Sequence, residues 1–354
     1  MHKHGQSGMR IRCRLRPSSR RRCRLLGGDT TAFCASLVEG LAHLESTLEV
    51  DHHGGGGGVA SPGTVSMRWC ADAMRLVKRM QREMLAIFRK ADVPVAAAAV
   101  SSSGAAADWF EHYMQETAAL LDFCNAFKAA VSRMHRYCMV VDFAAQVAGR
   151  AAGGRDGGAA AFLVVESAGA APEPCQAQSS SPPAAFREKM ADAKAAVAEA
   201  ERLGRAIIVS GGAGGDAGGM VVVTLVAKIT TSILSMFVLQ ALTAPATVDS
   251  GGVRTTIASA VGVVPELEPW RESLSLIHAR FPSPAAVAEH EKVATAVRDL
   301  VNGKVDGGEQ LLRARSGELR EGVEMFDCVL DEVFDEVVRG RNEMLGILRD
   351  KALT

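Results

Sequence analysis

The sequence predicts an all-α protein: an elongated bundle of long amphipathic helices joined by low-complexity loops, behind a disordered basic N-terminus. Three observations lead there. Apolar residues recur at steps of three and four in nearly every long apolar segment beyond Thr30, which is the period of one helix face. Aromatic residues are only 5% of a chain that is 48% hydrophobic, and the rest of that apolar content is mostly Ala, Val and Leu, a composition for close-packed helices rather than a β-sandwich. The 35 Gly occur in part as runs, and such runs belong to loops.

Residues 1–29 form the basic leader. Lys3, Arg10, Arg12, Arg14, Arg16, Arg20, Arg21, Arg22 and Arg24 precede the first acid, Asp29. The leader has no apolar core, so it does not read as a secretory signal. It fits an organelle transit peptide, a basic arm on an anionic membrane surface, a nuclear signal or an unstructured solubilising leader. The helical domain spans 30–354. Its first stripe is Phe33, Leu37, Leu41, Leu44 and Leu48, with Thr30 or Thr31 as the expected N-cap. Gly54–Gly58 breaks the chain. Ser66–Lys90 resumes the period through Met67, Trp69, Met74, Val77, Met80, Met84, Ile87 and Phe88. Val95–Ala107 is a small-residue connection. Trp109–Met134 then reads as a long helix running on to Val147, in one piece or two. Its stripe is Trp109, Tyr113, Leu120, Leu121, Cys124, Phe127 and Val131, with Thr117 as the polar member.

Residues 149–185 are a low-complexity insertion whose composition buries too little apolar area to offset chain entropy. Phe186–Leu203 is again helical in pattern, and Gly211–Gly219 is a break. The most hydrophobic run is 220–244. Its length meets the roughly 20 residues a bilayer requires. Two readings stay open for it. A membrane-embedded helix has Lys228 and the Thr230-Thr231-Ser232 cluster against it. A buried central helix would pack on the Trp109 helix and on the last helix. Leu267, Trp270, Leu274 and Ile277 mark a short helix, and Val287, Val293, Val297 and Val301 another. Gly308–Leu348 is a long amphipathic segment in which Phe326, Leu330 and Phe334 are expected to share one buried face. Glu321, Glu324, Asp327, Asp331, Glu332 and Asp335 fall mostly on its other side, as a solvated face does.

No segment reaches a reaction. The eight Cys include no C-x-x-C pair and their spacing matches no zinc pattern; Cys70, Cys124, Cys138 and Cys328 sit in apolar helical patterns as buried thiols. Gly212-Ala213-Gly214-Gly215-Asp216-Ala217 fits G-x-G-x-x-A, but no acid occurs between Asp216 and Asp249 and no βαβ alternation surrounds it. There is no phosphate loop and no nucleophile elbow. A formal net charge of +0 argues against a general nucleic-acid binder. Catalytic, cofactor and metal residues are therefore none.

Two segments carry a family resemblance. Tyr113, Leu120-Leu121-Asp122 and Cys124-Asn125-Ala126-Phe127 resemble the "Y…LLD-x-CNAF" helix of the plant BYPASS family. Val337-Val338-Arg339-Gly340-Arg341, then Leu345, Leu348 and Arg349, resemble that family's C-terminal "GR-x-x-LL-x-x-LR" pattern. Trp69 to Leu76 is a weaker match, and the glycine runs, insertion and leader are departures. The resemblance implies a plant developmental protein akin to those that restrain a root-derived mobile signal affecting shoot growth. It implies protein partners among membrane-trafficking components such as the exocyst, and a membrane-associated or cytoplasmic location; the leader adds a plastid alternative. It supplies no catalytic or cofactor residue. The expectation is a non-enzymatic regulator or scaffold that binds partners through a helix face. The alternative is an enzyme of a small-molecule signalling pathway with a site between helices.

Overall fold

A computed structural model of the chain describes residues 27–53, 63–90, 108–150, 216–243, 267–282, 285–302 and 308–352, with isolated helical positions at 188, 191, 192, 195 and 198. Residues 1–26 of the basic leader, the insertion beyond Arg150, most of Phe186–Leu203 and the glycines Gly212–Gly215 lie outside the described residues, while Gly28 and Asp29, expected at the end of a disordered leader, already belong to the first helix. Within them the chain is all-α: α1 Gly28–His53, α2 Met67–Lys90, α3 Asp108–Arg150, α4 Asp216–Leu242, α5 Glu268–Arg280, α6 Ala288–Val301 and α7 Gly308–Ala352. One parallel bridge joins β1 (Thr64–Val65) to β2 (Ala286–Val287). Gly63, at φ 104°, turns the chain into β1 in a conformation side-chain-bearing residues rarely adopt.

The terminal helix shows how the pattern becomes packing. Leu312, Ser316, Leu319, Val323, Phe326, Leu330, Val333, Val337, Gly340 and Met344 are all buried. Their spacing alternates four and three without a slip, the period at which one helix keeps a single seam against its neighbours. Phe334 lies at the edge of that seam and is 40% exposed, a correction to the expected Phe326–Leu330–Phe334 face. Each step of four advances the side chain by about 40°, so two such steps carry Phe334 off the seam, and Val333 takes the buried place.

Charged pairs give the directions. Lys78–Glu332, Arg82–Glu336 and Arg89–Glu343 share one offset of 254 residues, so α2 and α7 run parallel. Against α3, Asp142 meets Ser316 and Arg320, Lys128 meets Asp327 and Asp331, and Phe127 meets Phe326. Rising numbers on α3 match falling numbers on α7, so these two are antiparallel. Helix α4 packs on α2 and α3 from the other side. Helices α2, α3, α4 and α7 thus form a four-helix bundle, with α2 opposite α3 and α4 opposite α7. The expected contact of α4 with the Trp109 helix holds, but its second main neighbour is α2 rather than the last helix. Helix α1 lies across α2, α4 and α5, and α6 folds back on α7.

The helix starts differ in their chemistry. Ser66 caps α2 by accepting the Trp69 amide at 3.1 Å, and Glu289 accepts the Met67 amide from the start of α6. Helix α1 begins at Gly28, and neither Thr30 nor Thr31 caps it as expected. The Thr31 hydroxyl donates to the Gly27 carbonyl, and Thr30 is buried where α1 meets Gly219. Helix α3 is one continuous element, and α4 starts at Asp216, inside the segment expected to be a glycine break.

Candidate functional site

The two segments that carry the family resemblance meet. Tyr113 is buried at the α3–α7 contact, and a Cβ on Gly340 would stand 2.8 Å from its hydroxyl. Arg341 donates to the Met114 carbonyl and to the Thr117 hydroxyl, both at 2.6 Å. Thr117 in turn donates to the Tyr113 carbonyl at 2.8 Å, so the polar member of the stripe is fully used. Leu120, Cys124 and Phe127 are buried and Leu121 is partly buried, while Asp122 and Asn125 face outward. At the other segment, Arg349 is exposed, Leu345 is 48% exposed and the Leu348 side chain lies outside the described residues. The junction therefore gathers Tyr113, Gly340 and Arg341 as a lock between helices. It leaves Asp122, Asn125, Leu345 and Arg349 outside that contact.

A second constellation was not legible as a site. Helix α4 is apolar and buried from Gly219 to Leu239, yet Thr224, Lys228, Thr231 and Ser235 follow one another at steps of four, three and four. That spacing draws one polar stripe along it. The stripe faces α3 at Glu116, which is 2% exposed. Burial pushes the Glu116 carboxyl up to about 7, against the opposing pull of the Thr231 hydroxyl and the Lys228 ammonium. Thr231 is close enough to favour the carboxylate but lies outside normal hydrogen-bond geometry. Glu116 Oε1, Thr231 Oγ1 and Ser235 Oγ have no hydrogen-bond partner among the described residues. His112 Nδ1, one turn before Glu116 on α3, and Gln81 Nε2, on α2, are likewise buried and unpartnered. Two other hydroxyls of α4 are satisfied. Thr224 donates to the Met220 carbonyl, and Thr230 donates to Val226 while accepting Trp270 Nε1 at 3.0 Å.

This seam joins an acid, a cation, hydroxyls and an imidazole inside a helical bundle, the place where such folds build sites. Sequence reasoning took Lys228 and Thr231 only as evidence against a membrane span. The missed signal was the stripe spacing on α4 together with His112 and Glu116 four apart on α3. Cys124 and Cys138 are buried, with thiols pushed up to about 12 and about 11 by burial, which leaves them poor nucleophiles. Cys328 is exposed, contrary to the expectation of a buried thiol. Among the described residues no three His, Cys, Asp or Glu gather to hold a metal ion.

Comparison with protein-family models, with curated proteins and with solved structures returned no match.

Proposed function

We propose that this chain is a non-enzymatic scaffold or regulator that works by holding partner proteins on an exposed helix face. The BYPASS resemblance gives this reading its biological sense: a plant developmental protein, membrane-associated, with partners in membrane trafficking. The observation that carries it is on α3. Met139 and Phe143 are 63% and 67% exposed, the largest exposures among the big apolar residues described. They share a stripe with the exposed Arg136, one turn from Arg133, an arrangement suited to a partner that brings apolar anchors and acidic flanks. A photo-crosslinker placed at Phe143 should yield discrete protein adducts from plant extract that Arg136→Glu abolishes. Adducts unchanged by that reversal, or none, would remove the support.

Membrane association is tested separately. Helix α4 is long and apolar enough to cross a membrane, but its apolar stretch is enclosed by other helices throughout. Alkaline carbonate should release the protein from membranes. Retention in carbonate would favour a spanning α4.

The second reading, an enzyme with a site between helices, is favoured by one feature, the seam of Glu116, Lys228, His112, Thr231 and Ser235. Saturable turnover of a metabolite pool by the purified protein, lost in Glu116→Gln, would decide for it.

A further inference from the structure

We propose that Glu116 makes the contact between α3 and α4 a proton-sensitive joint: with Glu116 neutral the central helix seats firmly in the bundle, and with Glu116 ionised the seat loosens. The geometry comes first. The carboxyl is enclosed where α3 meets the polar stripe of α4. Among the described residues one of its oxygens lacks a hydrogen-bond partner, and so do the hydroxyls of Thr231 beside it and of Ser235 one turn further along α4. A neutral carboxylic acid has a proton to donate into such a place; a carboxylate there is held by less than its charge demands.

The charged surroundings leave few other groups to act on it. On its own helix stand His112 and Tyr113. Helix α2 carries Gln81 and Arg82, and α7 carries Glu336, Arg339, Arg341 and Glu343, whose charges act on Tyr113. Those cations are engaged elsewhere, Arg82 and Arg339 with Glu336 and Arg341 with Met114 and Thr117. Among all of these, Lys228 on α4 is the one whose charge acts on Glu116, and its pull does not overcome burial. Neutrality is therefore where the carboxyl changes state, and α4 is the element that feels it.

The sign follows from linkage. A carboxyl raised from its ordinary 4.5 to about 7 in the closed bundle contributes stability below 4.5 that is progressively lost as pH rises toward 7 and beyond. If the group returns to its ordinary value when α4 opens, the opening equilibrium increases roughly tenfold between pH 6 and pH 8.5.

Native-state hydrogen exchange of the full chain tests this, with rates corrected for intrinsic pH dependence. Protection of α4 amides should fall about tenfold from pH 6 to pH 8.5, and Glu116→Gln should abolish that trend. Lys228→Met should move the transition to higher pH, because removing the cation raises the carboxyl further. A flat parent, or a trend that survives in Glu116→Gln, would overturn the proposal. Should Glu116→Gln fail to fold, carbon-13 NMR of the labelled carboxyl in the parent decides instead. A Glu116 midpoint near neutrality supports the joint, and a midpoint below 5 sinks it.

Discussion

Gly340 occupies a place where a methyl group has no room. The atom it would strike is the hydroxyl of a buried, rigid Tyr113; Leu85, at 3.5 Å, is an ordinary contact. Two effects oppose each other in Gly340→Ala. Helix propensity favours Ala by about 1 kcal/mol, and overpacking costs about 1–3 kcal/mol. The expected net is a loss of about 1 kcal/mol, read from the urea midpoint. In a Tyr113→Phe background the obstacle is gone, and the same change should be neutral or stabilising. A double-mutant cycle with no coupling would show that α3 and α7 adjust freely here. Phe326 and Phe334 make a sharper contrast within one helix. Phe326 is fully buried against Phe127, so Phe326→Ala should cost about 3–5 kcal/mol. Phe334→Asp should lower the melting temperature far less than Phe326→Ala does, since that ring is partly exposed at the edge of the seam. An unfolded Phe334→Asp protein would mean the ring is covered by something beyond the described bundle.

At the scale of elements, the ladder between α2 and α7 governs acid behaviour. Burial acts to raise the Glu336 carboxyl, but Arg82 and Arg339 outweigh it and hold its pKa below the ordinary 4.5. Glu332 is held down in the same way, first by its bond from Lys78. Such groups contribute stability above the ordinary carboxylate value and lose it as pH falls through their lowered one. Glu336→Gln should therefore flatten the acid side of a stability–pH curve, leaving the urea midpoint less different between pH 6 and pH 3 than in the parent. An unchanged acid limb would show that the ladder carries no net stability, as exposed ion pairs often do not. The apolar stripes of α1 and α2 were readable because every expected position except the half-buried Ile87 is inside. The seam of Glu116 was not readable as a site. Its two halves lie more than a hundred residues apart, and a Lys in an apolar run has the same appearance whether it faces lipid, water or an acid. The two-residue strands at Thr64 and Ala286 are too short to show any period at all.

At the scale of the molecule, what local pattern left open is the pairing of helices. Periodicity identifies a face but not its partner. The register of Lys78, Arg82 and Arg89 against Glu332, Glu336 and Glu343 settles α2 beside α7 only once the distances are known. The pairing that results makes α4 the centre, touching α1, α2 and α3, and so predicts one cooperative unit rather than separable halves. The cysteines can report on it. Cys34 on α1, Cys70 on α2, and Cys124 and Cys138 on α3 are all buried, and burial pushes the Cys34 thiol up to about 11. Cys328 faces outward on α7. Mass-resolved alkylation of the native protein should modify Cys328 and spare those four. On a urea series the four should become reactive together, at one midpoint that coincides with loss of helical signal. Reaction of Cys34 at lower urea than Cys124 would mean that α1 leaves first and that the bundle of α2, α3, α4 and α7 stands without it. The shared burial of α4 by all three helices argues against that order, because removing α1 would expose the most apolar helix of the chain to water.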